Sequence, residues 1–241
     1  MHEDDLTLSL DDLARLLTGD SSLTGTLTRV AALAVQAIPG AQGAGLTLLE
    51  QDRPQTVIAT DAFVHEVDDV QYGLGEGPCL SAVAEGRTFT SGNLGGEPMW
   101  PRFGPRVGRL GVHSALSLPL LVNGRPIGAL NVYARPRDSF GAEATRLGES
   151  FAGPAAVSVA NARALAQAER LVAQLSAALA SRAEIDQALG IVMSRTGGTS
   201  DQAFTQLREL SQSRQVKLVD VARELVADAV LRAPRPPRQP A

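Results

Sequence analysis

The residues of this chain that could do chemistry fall into two groups. The first surrounds Cys79, its single cysteine. Cys79 follows Pro78 near the start of a short helix, where a thiol can be held as a reactive thiolate that senses an oxidant or carries a chromophore. The other reading is a buried small hydrophobe. One cysteine excludes an internal disulfide and a Cys-rich zinc site. His2, His65 and His113 lie far apart without metal-ligand spacing. His113 is open to two readings, a haem ligand or a polar residue leading into a strand. The run Gly73-Leu74-Gly75-Glu76-Gly77-Pro78 has the glycines of a phosphate loop. No Lys-Ser/Thr follows it and no strand leads straight into it, so it is a poor phosphate cradle. No nucleophile has a nearby base and orienting acid, and no carboxylates pair at useful spacing. The expectation is a binding protein, with Cys79, Trp100, Phe103 and Tyr133 as candidates to line a small-molecule pocket. The sequence names neither its ligand nor a cofactor.

The second group is polar and basic. Gln187, Gly190, Arg195, Arg208, Ser211, Gln212 and Lys217 lie within about thirty residues near the C-terminus. Arginine and lysine at helix ends suit phosphates, while Ser and Gln suit the edges of unpaired bases. Gly190 in mid-helix costs roughly 1 kcal/mol relative to Ala, which suggests close approach of another helix or of a ligand. Net charge is −4 but uneven: residues 1–170 carry 13 basic and 19 acidic side chains, and residues 171–241 carry 9 and 7. The C-terminal part is thus the better candidate for a polyanion.

These residues must be positioned by elements that hydrophobic periodicity makes legible. Residues 1–9 read as disordered. Leu10, Leu13, Leu16 and Leu17 predict a short helix stopped by Gly19, and a second helix runs from about Leu23 to Ile38. Ala44–Leu49 and Thr56–Ala59 read as strands. Ser114–Leu121 and Pro126–Tyr133 form a hairpin about Val122-Asn123-Gly124, whose Asn-Gly pair favours a primed turn. Gly73–Pro78 and Gly92–Pro105 read as loops. From Ala142 to Ser194 one helix is expected, and Leu165, Ala168, Leu171, Val172, Leu175, Leu179, Ile185 and Leu189 give it a narrow apolar stripe. Such a stripe on a polar helix calls for a partner, here a second copy in a coiled-coil seam. Two more helices cover Asp201–Ser213, with a capping box at Thr199 and Gln202, and Leu218–Leu231. Ile191, Val192, Met193, Phe204, Leu207, Val221 and Leu225 are expected to form a small core. The layout is α+β: an antiparallel sheet flanked by helices, a long coiled-coil-type helix, and a small three-helix module.

The C-terminal residues carry a resemblance. Arg182, Ile185, Ala188, Gly190, Ile191 and Met193, then Ala203-Phe204, Leu207-Arg208 and Ser211, then Asp220-Val221-Ala222, follow the pattern of the ANTAR family at its expected spacing. The resemblance implies transcription antitermination through RNA hairpins with short loops, held by a dimer. Leu189 departs from the lysine often found there, which removes one candidate phosphate contact. Upstream, Tyr72–Leu80, Trp100-Pro101-Arg102-Phe103, Ser114–Leu120 and Gly128–Tyr133 resemble GAF domains, and imply a sensor with a pocket under loops. The Asn-Lys-Phe-Asp-Glu pattern of cyclic-nucleotide-binding members is absent, which argues against that ligand.

The expected domains are an extension at 1–22, a GAF-like sensor at 23–164, a coiled-coil helix with ANTAR module at 165–232, and a disordered tail at 233–241. The expected partners are RNA, a small-molecule ligand and a second copy of the chain. The acidic start and the lack of a long apolar run point to a cytoplasmic protein without a membrane partner. A DNA-binding or a purely protein-binding dimer is the alternative. A basic recognition helix, which a DNA reader needs, is missing.

Overall fold

In the computed structural model, residues 2–16, 22–50 and 53–232 are described. They divide into two compact units, residues 1–167 and 168–241.

The first unit is built on a five-stranded antiparallel sheet of β1 (Gly43–Glu50), β2 (Arg53–Ala59), β3 (Phe89–Ser91), β4 (Ser114–Val122) and β5 (Arg125–Ala134), in the order β2-β1-β5-β4-β3. The β4–β5 hairpin turns at Asn123 and Gly124, both at positive φ, as the Asn-Gly pair requires. The strand register puts side chains of alternate residues on opposite faces. Leu46 and Leu48 of β1, Leu116, Leu118 and Leu120 of β4, and Leu130 and Val132 of β5 share one face and one core. Against them pack α1 (His2–Leu16), α2 (Leu23–Ala37) and the first part of α6 (Ala142–Thr196), through Leu13, Leu27, Val30, Leu147 and Phe151 among others. The chain is therefore helical from His2, not disordered to residue 9: burial of Leu6 and Leu13 recruits this segment into the core. Leu17 and Gly19, where that helix was expected to stop, lie outside the described residues.

The opposite face is covered by α3 (Ala62–Leu74), α4 (Pro78–Glu85) and α5 (Phe103–Arg109). The two stretches expected to be loops are largely parts of this layer. Gly73 and Leu74 finish α3, Gly75 caps it in the left-handed conformation, and Pro78 opens α4 at a position where its missing N–H is harmless. Leu94–Gly96 form a 3-10 turn that leads toward α5. Glycine density masked a helix–turn–helix because glycine both ends a helix and fills a loop. α3 sits tightly on β1 because Gly43 and Gly45 are there: a Cβ on Gly45 would lie 2.9 Å from Val64 Cγ1 and 3.0 Å from Asp68 Oδ2.

In the second unit the continuing α6 is joined by α7 (Ser200–Arg214) and α8 (Leu218–Arg232). α6 is one continuous helix of 55 residues. Thr199 and Gln202 make the expected capping box, with each side chain bonded to the other's backbone N–H. The core differs from expectation. Ala188, Val192, Ala203, Leu207, Val221 and Ala222 are buried, while Met193 and Phe204 are 36% and 41% exposed. Three of the six buried residues are alanines, so the helices meet largely through small side chains. Phe204, about 100° round α7 from the buried Ala203, lies outside this core.

Candidate functional site

On its α3–α4 face the first unit carries a buried polar cluster assembled from four elements. Alternation along β1, β5 and β4 aims Thr47, Asn131, Tyr133 and Ser117 at that face, and all four are fully buried. Asp68 and Gln71, one turn apart on α3, face down onto them. Tyr133 Oη donates to Asp68 Oδ1 at 2.7 Å, and Gln71 Nε2 donates to the same carboxylate at 2.9 Å and lies 3.2 Å from the phenol oxygen. Asn131 Nδ2 donates to Thr47 Oγ1 at 3.0 Å, and Thr47 is also bonded to the Tyr72 hydroxyl at 2.7 Å. Asn131 and Ser117 are direct cross-strand partners, and Asn131 Oδ1 and Ser117 Oγ have no hydrogen-bond partner among the described residues.

Cys79 enters this cluster from the first turn of α4. Its N–H donates to Gln71 Oε1 at 3.2 Å and its S–H to Thr47 Oγ1 at 3.3 Å. Burial, and secondarily the Asp68 charge, push the thiol up to about 12. A group so placed is a neutral thiol at neutral pH, and the thiolate reading of Cys79 falls to the cost of burying a charge. Burial and the neighbouring Asp68 raise the Tyr133 phenol well above its ordinary value in the same way.

Of the four sequence candidates, Cys79 and Tyr133 thus join the polar cluster. Trp100 and Phe103 are buried in the adjoining apolar cluster with Phe63, Val67, Phe89 and Val112. Trp100 Nε1 donates to Ser81 Oγ on α4 at 3.0 Å, and its ring meets Phe89 edge-on at 5.9 Å. The glycine run has a structural duty: Glu76 Oε1 accepts from the N–H groups of Arg102 and Phe103 at 2.7 and 2.9 Å, where α5 begins. His113 leads into β4, with its Nδ1 buried and without a partner among the described residues. Among those residues no three His, Cys, Asp or Glu side chains are grouped to hold a metal ion, and no helix is long and apolar enough to cross a membrane.

Thr47, Asp68, Gln71, Ser117 and Asn131 were not singled out from sequence. The available signal was polarity out of place: Asn131 and Ser117 interrupt otherwise apolar strands, and Asp68 and Gln71 share a helix face with Phe63, Val64 and Val67.

In the second unit, Gln187, Gly190 and Arg195 converge. With Ile191 and Ser194 of α6, and Val226 and Ala229 of α8, they line a groove of about 480 Å³. Gly190 opens this groove rather than admitting a neighbouring helix of the chain, since a Cβ there would meet nothing within 4 Å. Arg195 reaches Asp228 at 3.8 Å. Arg208, Ser211, Gln212 and Lys217 are not groove residues: Arg208, Gln212 and Lys217 are exposed, and Ser211 is half-buried four residues past Leu207. Ser211 Oγ donates to Val216 O at 2.6 Å and closes the C-terminus of α7, so toward a ligand it acts as an acceptor. Arg182, Arg195, Arg214, Arg223 and Arg232 each pair with a carboxylate of α6 or α8. No carboxylate partner faces Arg208 or Lys217 among the described residues.

The two halves match known domains. The GAF domain family matches residues 20–160 and the ANTAR domain family matches residues 173–226. No curated protein matches the chain. Among solved structures, the GAF domain of a phosphoenolpyruvate-protein phosphotransferase from Coxiella burnetii is 18% identical with a TM-score of 0.53, covering 66% of this chain and 95% of that one. The free methionine-R-sulfoxide reductase of Neisseria meningitidis, solved with its substrate, is 18% identical with a TM-score of 0.51, covering 66% and 91%. A reduced-form Staphylococcus aureus fRMsr is 18% identical with a TM-score of 0.50, covering 64% and 94%. These likenesses establish the fold of the sensor half. A sheet with a buried polar face, followed by a three-helix unit with the ANTAR pattern, is a regulatory pairing, and the chain belongs to the GAF family with an ANTAR domain at its C-terminal side, as in GAF–ANTAR regulators.

Proposed function

We propose that this chain is a signal-responsive, RNA-binding transcription antiterminator that acts as a homodimer in the cytoplasm. The observation that carries the reading is the ANTAR unit itself, with Gln187, Gly190 and Arg195 on one groove and the unpaired cations Arg208 and Lys217 nearby in sequence. In this reading no bond is made or broken. The dimer grips two short-loop hairpins in a nascent leader and so favours one RNA fold over the competing terminator stem. The stripe Leu165, Ala168, Val172, Leu175 and Leu179 repeats at intervals of three and four, the spacing of a left-handed seam. Leu165, Val172, Leu175 and Leu179 are 54–68% exposed in the single chain, as a seam without its partner should be.

The sensor end of the proposal rests on the polar cluster. Asn131 Oδ1 and Ser117 Oγ, buried without partners among the described residues, favour a small polar ligand able to donate to a buried amide oxygen. Turnover is not part of the reading, since the single thiol is buried and held neutral.

The test is titration of the full chain into labelled RNA with two tandem short-loop hairpins, beside loop-scrambled RNA and matched duplex DNA, at two salt concentrations. Selective binding of the intact hairpins is expected. Equal binding to scrambled RNA, or preference for the duplex, overturns the proposal, and the latter makes the chain a DNA-binding regulator.

A further inference from the structure

Phe204 is the one aromatic residue of the second unit, and it is 41% exposed on α7. The buried core of the unit is completed without this ring. What surrounds it is informative. Arg208 and Ser211 follow at i+4 and i+7, so the helical period places all three within a sector of about 60°. Arg208 has no carboxylate partner among the described residues, unlike five arginines of the same unit. Ser211 keeps acceptor capacity after donating to Val216 O. A π face, an unpaired guanidinium and a hydrogen-bond acceptor on one helix face are the parts needed to hold one splayed nucleotide: base, phosphate and base edge.

Resting on the RNA-binding reading above, we propose that Phe204 is a stacking platform for one unpaired loop base, with Arg208 on the adjoining phosphate and Ser211 on the base edge. A protein partner is the less favoured occupant. The exposed stripe of α6 is aliphatic and uninterrupted by cations over Val172–Leu179, whereas the Phe204 face is mixed aromatic, cationic and polar. Asp201 lies one turn toward the start of α7, so the RNA backbone runs toward the C-terminal half of the helix, where Lys217 follows. This assigns part of the loop specificity to Phe204 rather than to the groove at Gly190.

The experiment uses the full chain and a hairpin carrying 2-aminopurine at each loop position in turn. With wild type, fluorescence changes most at one loop position on binding. Phe204→Leu, which keeps apolar bulk but no π face, is expected to weaken hairpin binding about tenfold or more and to abolish that change at saturation. Phe204→Trp restores both, and its surface indole is quenched by the stacked base, a readout that stands even if the leucine variant folds poorly. If wild type prefers the hairpin over scrambled RNA and Phe204→Leu binds equally well, stacking is overturned and the RNA-binding reading survives. If wild type shows no preference, both fall. If Phe204→Leu instead changes the oligomeric state in sedimentation, the ring belongs to a protein interface and the proposal is overturned.

Discussion

Tyr133 and Asp68, 65 residues apart in sequence, meet in a 2.7 Å hydrogen bond with neither side chain reaching solvent. The bond ties the middle of the sheet to α3, and Gln71 braces both ends. A buried carboxylate that loses a donor keeps its desolvation cost. Tyr133→Phe is therefore expected to destabilise the first unit by about 1–3 kcal/mol. Thermal unfolding checks this. An unchanged midpoint would mean that the other partners of Asp68, Gln71 among them, satisfy it.

Cys79 makes a prediction with a definite sign in pH. Its folded value lies at about 12, above the ordinary 9.0, because burial disfavours the thiolate. Stability from the neutral thiol is thus fully present below pH 9 and is lost as pH rises toward 12. Tyr133, also raised, adds to the loss from about pH 10 upward. Denaturant titrations from pH 7 to 10 should show the decline of wild type beginning near pH 9, and Cys79→Ala should delay it. Native Cys79 should also resist alkylation at pH 8 until the protein is unfolded.

The seam of α6 is tested by charge. Val172→Asp with Leu175→Asp places carboxylates in the stripe and opposite their own copies. Sedimentation should report a monomer where wild type is a dimer, while the thermal transition of the sensor unit stays in place. A variant still dimeric at micromolar concentration would move the interface elsewhere.

The capping box gives a local prediction. Thr199→Ala removes the side chain that accepts from the Gln202 N–H and should cost about 1 kcal/mol in the second unit. Hydrogen exchange is the suitable measurement, because the loss should concentrate in the first turn of α7.

Electrostatics separate the arginines. Removing Arg208 or Lys217 should weaken binding to every RNA alike and lower the slope of log affinity against log salt by about one. Arg223 is held by Glu184 at 2.8 Å and Asp220 at 3.1 Å, so Arg223→Ala should change the slope less. Affinities between 50 and 200 mM salt decide this.

Much of the fold was readable where the signal is local. The Asn123-Gly124 hairpin, the Thr199 capping box and the extent of α6 all follow from residues within a few positions of one another. What escaped was set by distant contacts. The His2–Leu16 helix depends on a core completed by strands a hundred residues away, and α3 and α4 hid behind their glycines. Met193 and Phe204 have the right hydrophobicity for a core, but the core closes on their neighbours Val192 and Ala203 and leaves them outside it. At the site, aromatic residues and the cysteine were conspicuous. The polar partners Asp68 and Asn131 were not, because only the pairing of β1, β4 and β5 under α3 makes them neighbours.

From Leu171 to Ala180 every residue of α6 is exposed in the single chain. A helical segment without tertiary packing is only marginally stable in water, whatever its local propensity. In the dimer proposed above its order is reinforced by association, and mass action links the two: raising the concentration of the chain orders the segment as well as pairing it. Protein abundance becomes an input in its own right. In the proposed dimer a low concentration of the chain leaves this segment less ordered, and a higher one favours the paired form before any ligand arrives.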